Sequence, residues 1–254
     1  NAALDGVLDS IPGPASRLIL TEALEPLNRD LLHCGPQEAA SLQWALAGRF
    51  IAAGPSGAPT RGRPEVLPTG RNFFSIDSRA LPTPTAWRLG WASANAVIER
   101  YLQDHGNWPK AMVLSAWGTS NMRTGGDDIA QALAFMGVQP VWDSASRRVT
   151  GFDVIPLDVL DRPRAAAVRR ETAASQAAGL SLDAAVRKST LRVFSAKPGA
   201  YGAGLQTLID EGIWDDRSDF AEAFLIWSSY AYGDGVAGSP ARDMLEARLG
   251  DADA

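Results

Sequence analysis

The densest set of polar side chains lies between Trp117 and Asp128, in the string Trp-Gly-Thr-Ser-Asn-Met-Arg-Thr-Gly-Gly-Asp-Asp. It offers the hydroxyls of Thr119, Ser120 and Thr124, the amide of Asn121 and the fixed cation of Arg123, beside the free amides of a helix N-terminus. Such a set suits a ligand bearing carboxylates or amides, because guanidinium and N–H groups pair with their oxygens. An ordinary helix cap uses one polar side chain, and this turn carries at least four. A second candidate is Ser195–Gly204, where three glycines permit close backbone approach while Lys197 and Tyr201 add a cation and a hydroxyl. By composition it reads equally well as a structural turn. A third is the stretch 54–84, with Arg61, Arg63, Arg71 and Arg79 and, between them, Asn72 and Asp77. Four arginines in a Pro/Gly loop of an acidic protein either gather around an anion or form a solvated surface.

Other chemistries lack their residues. His33 and His105 are the only histidines, which excludes a His-Glu-x-x-His motif and an all-histidine zinc site. Cys34 is the only cysteine, so neither a disulfide framework nor a multi-thiolate metal site exists; without a placed Asn or Asp partner, His33-Cys34 reads as packing. No Gly-Lys-Ser/Thr phosphate loop is present. Gly233-Asp-Gly235-Val-Ala-Gly238 matches Gly-x-Gly-x-x-Gly, but Ser218–Tyr232 before it reads as a helix, so an interhelical turn is expected rather than a dinucleotide site. A formal charge of −5 and a pI near 5.1 argue against a general nucleic-acid partner. No apolar run approaches the ~20 residues needed to cross a bilayer, and no signal peptide is visible; a cytoplasmic location is expected.

These stretches need a frame. Residues 1–53 read as a helical segment, with Leu18, Leu20, Leu24, Leu27, Leu31 and Leu32 at helical spacing and Pro12, Pro14, Pro26 and Pro36 breaking it into short helices. Residues 54–84 read as an ordered Pro/Gly/Arg loop rather than a linker, because Val66, Leu67, Phe73, Phe74 and Ile76 need burial. Residues 85–164 read as an α/β core. In order it holds a helix Thr85–His105, a buried parallel strand Lys110–Trp117, a polar turn Gly118–Gly126, a helix Asp127–Met136 and strands Val138–Trp142 and Val149–Ile155. That spacing predicts a right-handed βαβ unit. Residues 165–254 read as a helical and α/β C-terminal part. An Ala-rich helix runs to Lys188 and is interrupted at Gly179; a strand Leu191–Phe194 and helices near Leu205–Glu211, Ser218–Tyr232 and Pro240–Leu249 follow, with Asp215, Asp216 and Ser218 starting the middle one. The fold class expected is α/β: βαβ units with a mainly parallel sheet flanked by helices, whose ligands sit beyond the carboxyl ends of strands.

Three strings carry a resemblance. Gly54–Phe74 (Gly-Pro-Ser-Gly-Ala-Pro-Thr-Arg-Gly-Arg-Pro-Glu-Val-Leu-Pro-Thr-Gly-Arg-Asn-Phe-Phe), Leu114–Gln131 and Lys197–Gln206 closely resemble, in the same order, segments of the large subunit of aerobic cobaltochelatase. The magnesium chelatase H subunit is a more distant likeness, with a similar Trp-Gly-Thr turn and Pro-Thr-Gly loop. The resemblance runs from about Leu46 to Leu249. It implies a portion of a metal chelatase of cobalamin biosynthesis, whose large subunit binds a corrin precursor, hydrogenobyrinic acid a,c-diamide, and takes Co²⁺ as substrate. ATP is hydrolysed by separate AAA+ partner subunits, which fits the missing phosphate loop.

On that resemblance, Arg61, Arg71, Asn72, Arg79, Thr119, Asn121, Arg123, Lys197 and Tyr201 are the expected contacts to a macrocycle edged with carboxylates and amides. Asp77, Asp127 and Asp128 are the carboxylates expected to take pyrrole protons, and no metal ligand is assigned. Between Arg164 and Ala165 the family usually carries some dozens of further residues, and a His- and Asp-rich segment usually follows the point where this sequence stops. Ser195-Ala196 and Ser228-Ser229 stand where glycine is usual. A chain inactive alone, a non-catalytic tetrapyrrole-binding module and a magnesium chelatase H-like subunit stay open as alternatives.

Overall fold

The computed structural model describes residues 6, 8–11, 13–61, 63–74, 76–160, 162 and 167–253. It divides into two units, Asn1–Val97 with Ser115–Pro156 and Ile98–Leu114 with Leu157–Ala254.

The first unit opens with helix α1 (Pro14–Leu46), which runs through Pro26 and Pro36 instead of breaking at them. Each interior proline forfeits a backbone bond at a cost of about 3 kcal/mol. The Leu, Ala, Glu and Arg residues around both are strong helix formers, and they carry the helix through. Its C-terminal half grips the next loop. Thr69 N–H donates to Cys34 Sγ at 3.4 Å, and the Thr69 hydroxyl donates to Glu38. Gly70 lies so close that a Cβ there would sit 2.7 Å from the Glu38 nitrogen. Strand β1 (Ala53–Pro55) pairs in parallel with β2 (Asn72–Phe74), Ala53 opposite Asn72. Between them run the 3-10 turns Pro59–Arg61 and Pro64–Val66, with Val66 and Leu67 buried. The Arg71 side chain crosses Gly54 and donates to the Glu65 and Leu67 carbonyls at 3.0 and 3.2 Å.

Helix α2 (Pro84–His105), of which the residues up to Val97 belong to this unit, α3 (Gly118–Thr124) and α4 (Asp127–Met136) follow. Ala86, Ala94, Ala130 and Ala134 expose none of their surface. A Cβ on Gly90 would come within 2.6 Å of the Ala130 methyl, so α2 and α4 meet through small residues. Strands β3 (Val138–Trp142) and β4 (Val149–Val154) form an antiparallel hairpin, Val138 opposite Val154. The turn between them is fixed by Asp143, whose N–H donates to Arg148 O at 2.9 Å and whose carboxylate accepts from Ser146 N–H at 2.7 Å.

This corrects the expected right-handed βαβ unit and the mainly parallel sheet. The two strands expected in that unit, Lys110–Trp117 and Val138–Trp142, do not pair among the described residues, and β3 instead pairs antiparallel with β4 through the short Asp143–Arg148 turn. The helix–strand composition is nevertheless mixed, as expected. Lys110–Trp117, expected as a buried parallel strand, forms no regular element and pairs with no strand among the described residues.

The second unit contains α5 (Leu157–Leu160), α6 (Ala167–Ala177), α7 (Leu182–Thr190), β5 (Val193–Ser195), α8 (Leu205–Glu211) and α9 (Arg217–Ser228). Strands β6 (Tyr230–Gly233) and β7 (Val236–Pro240) and helix α10 (Arg242–Gly250) complete it. Strands β5, β6 and β7 make one antiparallel sheet. Asp216 starts α9 through a reciprocal capping box with Asp219. Here Gly233–Gly238 is not the expected interhelical turn, and the helix does not reach Tyr232. Gly233 pairs with Val236 across a two-residue Asp234-Gly235 turn, with Gly235 at φ 69. Asp-Gly between alternating residues is a hairpin signal that outweighs the glycine spacing. Glu171 accepts from Arg192 at 2.7 Å and from Arg248 at 3.0 Å, tying α6 to the sheet and to α10. The junction Arg164–Ala165 lies outside the described residues.

Candidate functional site

Helix α3 organises the polar string that the sequence singles out. Gly118–Gly126, expected as a turn, is this helix followed by Gly125 and Gly126 in left-handed geometry at φ 79 and 95. A helix places residues three and four apart on one face. Thr119, Met122 and Arg123 therefore share a face. With Pro55, Ser56, Gly57, Val66, Thr69, Gly70 and Arg71 they line a cavity of about 430 Å³. The Ala58 N–H donates to the Arg123 carbonyl at 3.2 Å and ties the loop to the helix.

Two guanidiniums and two threonines line this space, and among the described residues no carboxylate does. Arg71 is partly occupied with the carbonyls of its own loop. The Arg123 side chain has no hydrogen bond or ion pair among the described residues, so its charge is available to a ligand.

Asn121 is turned the other way and buried, 5% exposed. Its side-chain amide nitrogen donates to the Trp117 carbonyl and to Asp128 Oδ2, both at 2.9 Å, while its main-chain carbonyl accepts from the Gly125 and Gly126 N–H groups. Asp128 lines a second cavity of about 350 Å³ with Asp127 and Gln131 from α4 and Leu89, Gly90 and Ser93 from α2. Gln131 donates to the Ser93 hydroxyl across it at 2.9 Å. The Asp127 N–H donates to Thr124 Oγ1 at 3.2 Å, fixing the start of α4.

Asp77 lines neither cavity. It caps the 3-10 turn Ser78–Ala80 and accepts from Arg79 Nε at 2.9 Å and Arg148 Nε at 2.9 Å. The Arg79 guanidinium foremost, then the Arg79 amide and Arg148, hold its carboxyl well below the usual carboxylate range. Asp77 and Arg79 thus strap residues 77–80 to the β3–β4 turn, and Asp77 has little capacity left to take a proton.

Asn72 is exposed on β2, its N–H bonded to the Ala52 carbonyl at 3.0 Å. The side chains of Arg61, Phe73 and Phe74 lie outside the described residues. Lys197 and Tyr201 belong to the second unit, exposed on the loop between β5 and α8; Tyr201 is 71% exposed.

The structure thus brings together Arg71, Thr119 and Arg123 at one cavity and Asp127 and Asp128 at the other. Ser56, Thr69 and Met122 were not singled out from sequence, although all three fall inside the Gly54–Phe74 and Leu114–Gln131 strings. Leu89, Gly90 and Ser93 carried only a helical spacing, which does not reveal what the face packs against. Among the described residues no three His, Cys, Asp or Glu side chains converge as a metal site, and no helix is long and apolar enough to cross a membrane.

The scaffold mixes helices and strands, and its first cavity presents guanidiniums, hydroxyls and glycine-rich backbone. The chain belongs to the CobN/Magnesium Chelatase family, whose profile matches residues 7–168 and 165–254. It is 48% identical to the aerobic cobaltochelatase subunit CobN of Sinorhizobium sp. and 46% identical to that of Pseudomonas aeruginosa, each over 92% of this chain and 22% of the relative. Among solved structures it resembles the catalytic subunit of cobaltochelatase from Mycobacterium tuberculosis, with TM-score 0.77 and 37% identity over 98% of this chain and 24% of that one. The chain spans about a fifth of the length of the curated relatives it matches. The Sinorhizobium alignment runs over 274 residues, whereas 92% of this chain is about 234, so the relative carries some 40 residues without a counterpart here. The two matched stretches of the profile meet at residues 165–168.

Proposed function

We propose that this chain is the portion of an aerobic cobaltochelatase large subunit that holds a corrin precursor, hydrogenobyrinic acid a,c-diamide, while Co²⁺ is inserted as substrate in cobalamin biosynthesis. The observation that carries the reading is Arg123: a cation without a partner among the described residues, facing a cavity between two strings that match the family. In a half-enclosed cavity a guanidinium and a carboxylate attract more strongly than in water, and planar bidentate pairing fixes the orientation of the ring edge. Thr119 and Thr69 add hydroxyls for the amides.

Insertion also requires that each ring N–H lose its proton as the metal enters, and a carboxylate within reach lowers that barrier. Asp127 and Asp128 fill this role in the proposal, and Asn121 orients Asp128 through its 2.9 Å bond. Asp77 and Arg79 act by holding the 77–80 turn, and Lys197 and Tyr201, on the β5–α8 loop of the second unit, offer a cation and a hydroxyl suited to the same class of ligand. ATP is hydrolysed by separate AAA+ subunits, and the reaction takes place in the cytoplasm.

The test has two arms. Titrating the chain with hydrogenobyrinic acid a,c-diamide should shift the absorbance spectrum of the macrocycle; no shift at high micromolar ligand contradicts the reading. In the full-length subunit with its ATPase partners, Asp128→Asn should retain the spectral shift and lose most Co²⁺ insertion. Unchanged insertion removes Asp128 from the chemistry.

A further inference from the structure

The cationic cavity has two threonines in its wall, and they are not chemically equal. A threonine hydroxyl has one hydrogen to donate and two lone pairs to accept with, so what a ligand meets depends on where the hydrogen goes. The Thr119 hydroxyl makes no hydrogen bond among the described residues and can turn to suit either an N–H or an oxygen. The Thr69 hydroxyl donates its hydrogen to the Glu38 carboxylate of α1. Toward a ligand in the cavity the Thr69 oxygen is therefore left as an acceptor, and its bond to a carboxylate strengthens it in that role. Helix α1 builds this direction in. Cys34 and Glu38 are four residues apart and share a face of the helix. Cys34 Sγ accepts from the Thr69 N–H at 3.4 Å while Glu38 takes the hydroxyl, so backbone and side chain of Thr69 are held from one face. Gly70, at φ 81, lets the loop come this close, since a Cβ there would lie 2.8 Å from the Gln37 carbonyl carbon.

The two guanidiniums of the wall select the other way. Arg71 and Arg123 only donate; they take the oxygen of an amide or of a carboxylate, and the carboxylate more strongly. A primary amide differs from a carboxylate by its NH2, and an NH2 needs an acceptor. We propose, resting on the assignment of this cavity to the macrocycle, that Thr69 with its hydrogen held by Glu38 is the specificity-determining group that selects an amide-bearing edge of the ligand over a carboxylate-bearing one. It accepts from the amide N–H. When a carboxylate oxygen takes that place, lone pairs meet lone pairs and both groups stay unmatched. A site that commits a polar group to a substrate N–H rejects the analogue lacking it.

Calorimetric titration at neutral pH tests this with two ligands, hydrogenobyrinic acid a,c-diamide and the same macrocycle carrying carboxylates in place of both amides. The quantity read is the ratio of the diacid Kd to the diamide Kd. It should fall about 10-fold or more in Thr69→Val, which keeps the shape and loses the acceptor, and in Glu38→Ala, which frees the hydroxyl hydrogen to meet a carboxylate. In Thr69→Ser, which keeps the hydroxyl, it should stay within about 3-fold of the native value. Thr69→Ala takes the place of Thr69→Val should that protein unfold. A ratio unchanged in Thr69→Val or in Glu38→Ala overturns the proposal; a change in Glu38→Ala alone assigns the discrimination to the Glu38 charge rather than to the direction of the bond. A ratio lost in Thr69→Ser overturns it as well. A native chain that binds neither ligand at high micromolar concentration contradicts the assignment of the cavity to the macrocycle, whereas binding of both with one ratio in every variant contradicts only the role of Thr69.

Discussion

The two cavities of the first unit are built from opposite charges, with α3 bound to the walls of both. One is walled by a Pro/Gly loop and by the Thr119, Met122 and Arg123 face, and it presents cations and hydroxyls. The other lies between α2 and α4 and presents Asp127 and Asp128. Asn121, between Thr119 and Met122 in sequence, is bonded to the acidic side rather than the cationic one. One turn of helix therefore sorts neighbouring polar residues onto two sides, Thr119 and Arg123 toward the cationic cavity and Asn121 onto a carboxylate. A string of polar residues is not a single site.

The sharpest way to break the comparison is at the contact beneath the acidic cavity. A Cβ on Gly90 meets Ala130 and the Gln131 nitrogen at 2.6 Å, so Gly90→Leu must push α2 and α4 apart. A loss of about 3 kcal/mol in denaturant melts is expected; a loss below about 0.5 kcal/mol would show that the helices do not pack as described. Next comes the cationic face. Removing a charged hydrogen-bond donor costs about 1.5–3 kcal/mol, so Arg123→Ala should weaken macrocycle binding roughly 10- to 100-fold, while Asp128→Asn changes it less than about 3-fold. Equal effects would merge the two cavities into one.

Asn121→Ala should lower stability by about 1–2 kcal/mol, because it leaves Asp128 Oδ2 without its Asn121 donor and removes the side-chain one of the two donors to the Trp117 carbonyl. Calorimetry showing no change in melting temperature would contradict that role. The smallest effect is at Asp77. Its carboxyl titrates lower in the folded chain than its ordinary value of 3.8, so its contribution to stability is whole above about pH 4 and is lost as pH falls from there through the lower folded value. Asp77→Asn should raise proteolytic nicking near residues 77–81 and 147–148 at neutral pH and flatten that acid dependence. Identical digestion of the two proteins from pH 7 to 3 would count against the strap.

Much of the cationic cavity was legible because its residues are strings of unusual type: arginines among glycines and prolines, and hydroxyls beside Trp117. What sequence could not show was the helix inside the 118–124 string. Read as a turn, every polar residue there counted toward one ligand; as a helix, only one face does. The parallel sheet was misread for a related reason. The apolar run 110–117 has the composition of a buried strand, but strand identity is a property of a pair, and β3 turns back onto β4 at Asp143. The Gly233–Gly238 string failed similarly: its spacing matched one motif, whereas Asp234-Gly235 between Tyr232 and Val236 encoded a hairpin. The element bounds of α4, β3 and α8 were readable because left-handed glycines at 137 and 212 end two of them and β3 begins directly at the first.

The most direct measurement is calorimetric titration of the chain with hydrogenobyrinic acid a,c-diamide across Arg123→Ala, Arg71→Ala and Asn121→Ala. Affinity should fall at least about 10-fold for the two arginine variants and stay within about 3-fold for a folded Asn121→Ala protein. Equal affinity in all of them, or no binding by the unaltered chain at high micromolar ligand, would contradict the assignment of the cationic face of α3 to the macrocycle.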